Sequence, residues 1–410
     1  ELPEVDKYLP TSDGKPPLGN AKNWAWDEVN EKVVGVDQIN NKTIFPIELN
    51  TMPGWAGSSW YFNRYMDTIN QEQFVSKEAN DYWKEVDFYM GGSEHATGHL
   101  LYSRFWQKAL FDLGYLKLDE FANKLVNQGM ILGNSAFVYR KKGTQEFLSK
   151  GLVKKHEVEP IHVDVSLVNS SNELDINKVR SWQKDFEKAK FILEDGKYIV
   201  GREVEKMSKS KHNVVNPDEI CDTYGADTLR MYEMFLGPIE QDKPWNTAGI
   251  SGVHNFLKKF WRLFYQNGKF KVDHEIASDE SLKVLHQTIK KVTEDIERLS
   301  FNTCISSFMI CVNELTALNC SSHKILEPLL ILLSPFAPHF SEELWTRLGH
   351  TKTIAFENFP KFDASKLEEK VKDYPVLFNG KIRFRLKLSL ELSVDQIKEQ
   401  VMNEERTISQ

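Results

Sequence analysis

The sequence predicts an α/β core interrupted by a small inserted module, followed by an all-α helical bundle and the start of a small α+β module. Three observations carry this. From Asn50 to about Gly133, aromatic-rich apolar stretches alternate with glycine pairs and with helix-like text such as Glu94 to Leu113. From about Gly249 to Gly349, helical spacing dominates: Leu282, Leu285, Ile289, Val292, Ile296 and Leu299 recur at intervals of three and four and make one apolar stripe. After the tight-turn pair Asn379-Gly380, polar and apolar residues alternate without a break from Lys381 to Glu391, the pattern of a half-buried strand.

In chain order, residues 1–45 are rich in Pro, Gly, Asp and Asn and lack sustained periodicity, which predicts a connector. The core is expected at 46–133 and 204–248. Between them, residues 134–203 carry short alternating runs such as Ile161 to Val165 and charged turns, read as an inserted module. Asn216 with Glu219 fits a capping box and Pro217 the first helical position, so a helix starts there and ends near Gly225; a second runs from Asp227 to Phe235. The bundle occupies 249–350. Pro335 and Pro338 interrupt its apolar run, so its last helix is expected to restart near Ser341, capped by that hydroxyl. A charged linker at 351–373 leads to a partial module at 374–410. Its strand turns Lys381, Arg383, Arg385 and Lys387 outward, with Ile382, Phe384, Leu386 and Leu388 inward.

At 410 residues the chain can hold two or three domains, with the composition of an ordinary soluble globular protein. A net charge of −7 does not suggest a nonspecific nucleic-acid coat, so any RNA contact must come from local patches on an otherwise acidic body. Lys258, Lys259 and Arg262 form one such patch, on a helix whose other side carries Leu257, Phe260, Trp261 and Phe264; by default it is a solvated face. The longest apolar run, Leu329 to Leu333, is far below the roughly 20 residues that cross a bilayer. No membrane span is expected. The opening ELPEVDKYLP lacks a basic then apolar leader and begins with Glu1, predicting a cytoplasmic and incomplete chain. Cys221, Cys304, Cys311 and Cys320 form no C-x-x-C pair, which argues against a zinc knuckle and predicts buried free thiols.

The chemistry concentrates in a few strings. Lys206-Met207-Ser208-Lys209-Ser210, followed by Lys211, sets three ammonium groups close together ahead of a helix. They repel unless an anion of high charge density sits among them, so the loop reads as a clamp for a triphosphate or leaving pyrophosphate. A solvated basic loop is the alternative. Gly91-Gly92-Ser93-Glu94-His95, with His99 four residues on, puts two imidazoles on one helical face after a glycine pair. As a nucleotide site, the glycines admit a ligand to the backbone and Glu94 accepts from ribose hydroxyls. As a metal site it lacks the His-Glu-x-x-His order, and no metal is expected. Taken alone, His99 also fits a hydrogen-bonded core histidine. Trp55, Ser58, Ser59, Trp60 and Tyr61 make an aromatic and hydroxyl cluster that fits either core or pocket. Gln128-Gly129-Met130 closes an apolar stretch and could offer backbone groups to a base edge.

Together these strings resemble leucyl-tRNA synthetases of the bacterial kind, over most of the chain. The most telling are Asn50-Thr51-Met52-Pro53-Gly54-Trp55-Ala56-Gly57-Ser58-Ser59-Trp60-Tyr61-Phe62, Gly91 to Ala96 continuing to His99-Leu100-Leu101-Tyr102, and Val126-Asn127-Gln128-Gly129-Met130. Lys206 to Ser210 matches the signature loop of class I aminoacyl-tRNA synthetases as a whole. Leu333 to Trp345 is similar to the group's helical anticodon-binding-type domain, and Phe378-Asn379-Gly380-Lys381 to the start of its C-terminal module. The resemblance implies the second half of a Rossmann-like catalytic domain. It implies that Trp55, Ser58, Tyr89, His95 and His99 surround leucine and the adenylate, and that Gly91, Gly92, Glu94, Gln128 and Met130 hold the adenosine, with Met207, Ser208 and Ser210 alongside. Lys206 and Lys209 would stabilise the triphosphate of ATP, accompanied by Mg²⁺, while Lys258, Lys259, Arg262, Lys381, Arg383 and Arg385 would meet tRNA(Leu). The family's His-x-Gly-His string does not occur here. The expectation is therefore a portion without the first half of the active site or the editing domain, whose partner is the missing N-terminal half and which is inactive alone. The competing reading is a non-catalytic RNA-binding protein derived from a synthetase.

Overall fold

Within and just past the stretch read as a connector, residues 25–46 form a three-stranded antiparallel sheet of β1 (Ala25–Asp27), β2 (Lys32–Val34) and β3 (Ile44–Pro46), with β1 in the middle. Strands of three residues are too short to show a period in the sequence. The structure is a computed structural model. It describes residues 2–274, 276–367, 371–390 and 392–408. The chain divides into two units, 1–128 and 129–410.

In the first unit, the short helices α1 (Trp55–Ser58), α2 (Tyr61–Tyr65) and α3 (Lys77–Trp83) precede β4 (Val86–Gly92). Ser76 caps α3 by accepting from the Ala79 N–H. After β4 the predicted helix of Glu94 to Leu113 is three segments: a 3₁₀ turn at Ser93–His95, a π turn at Ala96–Leu100, and α4 (Leu101–Asp112). β5 (Ala122–Gln128) returns parallel to β4, in register from Val86 opposite Ala122 to Gly92 opposite Gln128. A parallel pair needs a helical crossover, and α4 supplies it. Phe62, Leu100 and Phe121 form the small core beneath, with the Phe62 and Phe121 rings stacked 4.8 Å apart.

The second unit is organised on β6 (Ile131–Lys141). Around it lie β7 (Glu146–Leu148), β8 (Val158–Val163), the helices α5 (Ile176–Trp182) and α6 (Lys184–Glu187), β9 (Lys190–Ile192) and β10 (Gly201–Lys206). β6 takes β10, β7 and β8 antiparallel. The predicted run Ile161 to Val165 is in part β8, with Val165–Leu167 a 3₁₀ turn. Next come α7 (Pro217–Tyr224) and α8 (Ala226–Phe235). Asn216 caps α7, but its side chain accepts from the Asp218 N–H at 3.0 Å, so the cap is a shorter loop than the expected box. β11 (Lys243–Pro244) pairs with β6 in parallel.

The bundle comprises α9 (Ile250–Leu263), a hairpin of β12 (Tyr265–Gln266) and β13 (Lys269–Phe270), then α10 (Asp279–Glu297), α11 (Phe301–Ala317), α12 (His323–Leu333) and α13 (Pro338–Arg347). The predicted stripe on α10 is rotated: Val284, Leu285, Ile289 and Val292 are buried, Leu282 and Ile296 pack at the margin, and Leu299 lies past the helix at φ +59°. The last helix starts at Pro338, not Ser341, because Pro fits the first turn; Ser341 is buried inside α13 with an unpartnered hydroxyl. All four thiols are free, but only Cys304 and Cys311 are buried; Cys221 and Cys320 are half-buried.

β14 (Val371–Phe378) pairs antiparallel with β15 (Lys381–Ser389) through Asn379 and Gly380, both at positive φ as the tight turn requires. β14 takes up the end of the stretch read as linker. Lys381, Arg383, Arg385 and Lys387 are exposed as expected, and Leu386 and Leu388 are buried; Ile382 is 56% exposed, against expectation, because the core beneath the hairpin begins only at Phe384. Glu391, the predicted strand end, lies outside the described residues. α14 (Val394–Asn403), opened by a Ser393/Gln396 capping box, and α15 (Glu405–Ile408) complete the chain. Among the described residues no helix is long and apolar enough to cross a membrane.

Candidate active site

Lys206 is the last residue of β10, paired with Leu132 of β6, so the lysine string leaves directly from the sheet. Its shape is set by one buried amide. Asn213 accepts from the Ser208 N–H at 2.9 Å and donates to Ser135 Oγ at 2.9 Å and the Lys206 carbonyl at 3.3 Å. Gly133 makes room for it: a Cβ there would meet the Asn213 carbonyl at 2.6 Å. Lys209–Lys211 form a 3₁₀ turn closed by His212 in the left-handed region, and the Ser208 and Ser210 hydroxyls lie 2.8 Å apart.

The three ammonium groups are not equivalent. Lys211 Nζ sits 2.7 Å from Glu205 Oε1, and Glu205 Oε2 is 2.9 Å from His162 Nε2. Lys211, then Ser135 and His162, hold the Glu205 carboxyl down to about 2. Lys206 and Lys209 are exposed and have no ion-pair partner among the described residues. The repulsion expected among three lysines is thus relieved within the chain for one of them, leaving two free cations.

In the first unit, Tyr89 on β4 and His99 on the π turn meet: Tyr89 Oη lies 2.5 Å from His99 Nε2 and 3.0 Å from Tyr61 Oη. The His99 ring stacks against Tyr61 and Tyr89 at centroid distances of 6.1 and 6.0 Å. Burial, then His95, hold the His99 pKa below the ordinary imidazole value, and burial raises that of Tyr89. Both are therefore uncharged near pH 7, and the hydroxyls of Tyr61 and Tyr89 with His99 Nε2 form one hydrogen-bonded chain. Trp55 covers Gly98, where a Cβ would lie 3.6 Å from the indole. Trp55, Tyr89 and His99 are thus brought together. Tyr61, which sequence reasoning placed only in the aromatic cluster, completes the array; its helical spacing from Tyr65 was the available signal.

The other predicted residues are less engaged. His95 is exposed, 3.9 Å from Glu94, and the 3₁₀ and π turns replace the single helical face expected for His95 and His99. Ser58 is exposed and donates to the Trp55 carbonyl. Gly92 lets the Glu94 carboxylate fold back over it, its Cβ position lying 2.1 Å from Oε2, and Gly91 has nothing within 4 Å. Gln128 pairs with Gly92 at the end of β5. In the second unit, the Met130 N–H donates to Asp242 at 2.7 Å and its carbonyl accepts from Lys243 at 2.9 Å. Those two bonds fix the main chain at Met130 and leave its carbonyl oxygen one further acceptor position.

Lys258 and Arg262 lie one turn apart on α9, between two grooves of about 640 and 330 Å³. Lys259 donates to Asn313 at 2.6 Å. Lys381, Arg383 and Arg385 form a cationic row on β15.

Residues 190–246 match the family model for tRNA synthetases class I (I, L, M and V), and residues 279–399 that for the anticodon-binding domain of tRNA ligase. The leucine–tRNA ligase of Christiangramia forsetii is 59% identical over 100% of this chain and 45% of its own length. That of Flavobacterium johnsoniae is 62% identical over 100% of this chain and 43% of its own. That of Bacteroides thetaiotaomicron is 55% identical over 99% and 43%. Among solved structures, the ternary complex LeuRS-tRNA-LeuAMS of Agrobacterium radiobacter K84 agnB2 superposes with a TM-score of 0.56 at 25% identity, covering 92% of this chain and 43% of that one. The chain spans less than half the length of these relatives. Its α/β fold passing into helices, its lysine loop and these matches agree: the chain belongs to the leucine–tRNA ligase family of class I aminoacyl-tRNA synthetases.

Proposed function

We propose that this chain supplies the polyphosphate clamp, part of the adenylate pocket and tRNA-binding surface of an enzyme that charges tRNA(Leu) with leucine in the cytoplasm. The observation that carries the reading is the pair of unpaired ammonium groups, Lys206 and Lys209, on a loop shaped by the buried Asn213. A leucine carboxylate oxygen attacks the α-phosphorus of ATP, the bond to the bridging oxygen breaks, and pyrophosphate leaves; the two lysines neutralise the charge gathering on it. The tRNA's terminal ribose hydroxyl then attacks the leucyl carbonyl and AMP departs. Mg²⁺ would enter with the nucleotide, bound to its phosphates.

Trp55, Tyr89 and His99, with Tyr61, form the apolar and hydrogen-bonding wall for the aminoacyl part. His95 and Ser58 border it. Gly91, Gly92, Glu94 and Gln128 offer the adenosine a close backbone and a carboxylate for its ribose. Lys258, Lys259, Arg262, Lys381, Arg383 and Arg385 take phosphates of the tRNA, a reading supported by the tRNA in the relative's ternary complex. The parallel pair β4–β5 supports assignment to the second half of a Rossmann-like domain, and the exposure of Phe88, Met90 and Leu125 on it supports a further covering layer.

Leucine-dependent ATP–pyrophosphate exchange tests the clamp. In the full gene product, Lys209→Ala should slow exchange by a factor of about 10² to 10³, as loss of one preorganised charge donor does. Lys211→Ala, which removes a cation already neutralised by Glu205, should slow it far less. An unchanged rate for Lys209→Ala overturns the clamp. The 410 residues contain no His-x-Gly-His string, so on their own they should catalyse no exchange; robust exchange by them would contradict the division of the active site.

A further inference from the structure

Outside the site above, among the described residues, one cluster of side chains has the composition and convergence of a metal centre. His323 opens α12, Glu327 follows one turn later on the same face, and His350 arrives from the turn beyond α13. His323 Nε2 lies 2.7 Å and His350 Nε2 3.3 Å from the same carboxylate oxygen, Glu327 Oε2. We propose that these three residues form a binding site for a divalent transition-metal ion of the Zn²⁺ class, clamping the start of α12 to the end of α13.

The distances fit the chemistry. With metal–ligand bonds of about 2.0–2.2 Å, neighbouring ligands of a tetrahedral ion stand roughly 3.3 Å apart. The His350 pair, at 3.3 Å, already has that separation, the His323 pair, at 2.7 Å, needs to open by about 0.6 Å, and all three ligand atoms lie within 4.8 Å of one another. Two imidazoles and one carboxylate are a borderline donor set that suits Zn²⁺ or Co²⁺ and disfavours Ca²⁺ and Mg²⁺, which take oxygen shells.

The ligands are also held in place before any ion arrives. The His350 ring lies flat on the buried Trp345, centroids 3.5 Å apart and 6° from parallel, and Trp345 Nε1 donates to the Lys352 carbonyl at 2.9 Å. Gly349, at φ +100°, makes the turn that brings His350 back over the helix end. The His323 N–H donates to the Asp273 carbonyl at 2.8 Å, anchoring the start of α12. Side-chain exposures of 24, 25 and 33% leave the centre reachable from solvent, which supplies the fourth coordination position. A metal here would have a structural role in the bundle, independent of aminoacylation.

The test is a Co²⁺ titration of the 410-residue chain followed by visible absorption, with Zn²⁺ titration against thermal unfolding beside it. One equivalent should produce the d–d bands of a four-coordinate ion, and Tm should climb with Zn²⁺ concentration, since an ion that binds only the folded chain stabilises it by mass action. His323→Gln and His350→Gln should each weaken binding by more than about 10- to 100-fold, the loss that even outer-shell changes cause. Glu327→Gln retains an oxygen that accepts from both imidazoles, so it should unfold like the unaltered chain without metal yet lose the Zn²⁺-dependent rise. A control at the exposed His156, changed to Gln, should leave binding intact. Absence of a stoichiometric Co²⁺ band, or a band that survives all three ligand changes, would overturn the site.

Discussion

Asn213 shows how much a single side chain can decide. It is 1% exposed, and its amide joins the loop bearing Lys206 and Lys209 to Ser135 in the middle of β6. Asn213→Ala strands the Ser208 N–H, and it should lower stability by about 1–3 kcal/mol, the cost of a buried polar group left unpaired; denaturant unfolding measures it, and a neutral result would mean the loop is not held there. Glu205 adds a pH signature. A carboxyl held at about 2 against an ordinary 4.5 binds fewer protons folded than unfolded, so its contribution to stability is whole above pH 4.5 and drains as pH falls toward 2. Urea midpoints followed across that window should fall less steeply for Glu205→Gln than for the unaltered chain; equal slopes would count against the pairing. Residue type and spacing in the sequence marked Lys206, Lys209 and His99, whereas Tyr89 was implied only by the resemblance to the family. The pairing of Lys211 with Glu205 was invisible there, because it depends on how a six-residue loop bends back on its strand.

At the scale of elements, local chemistry was legible wherever it was self-contained. Asn216-Pro217 opens α7 as expected, and the Asn379-Gly380 turn joins two strands. Elements defined by partners were not. β1, β2 and β3 are three residues each and exist only through one another, and β14 carries Pro375, which masks its alternation. The π turn at Ala96–Leu100 has no sequence signature that distinguishes it from the helix it leads into. The corner between α7 and α8 demands glycine. Gly225 sits at φ +88°, ψ 149°, a region essentially closed to other residues, while a Cβ there would touch nothing within 4 Å. The cost of Gly225→Ala is then purely one of backbone strain, about 1–3 kcal/mol. Thermal unfolding should show that loss, and a substitution without effect would place the corner elsewhere.

At the scale of the second unit, the lysine loop and the bundle belong to one body. A single apolar core runs from Ile220 and Met231, in the helices that follow the loop, through Phe260 and Phe308 to Trp345 and Ile354. Asp227 at the start of α8 accepts from His339 Nδ1 at 2.9 Å and from the Phe340 N–H at 2.6 Å, tying the first turn of α13 to the same helix. The helices that follow the clamp and α9, the helix carrying the cations, share this core, so local opening of one should require opening of the other. Hydrogen exchange measures this directly. Peptides spanning 226–235 and 301–317 should exchange with one shared opening free energy, and Phe308→Ala, which removes a fully buried ring, should lower both by the same about 3–5 kcal/mol. If protection falls over 301–317 while 226–235 is unaffected, the two segments are separate folding units, and tRNA held on the bundle has no rigid path to the loop that meets the nucleotide.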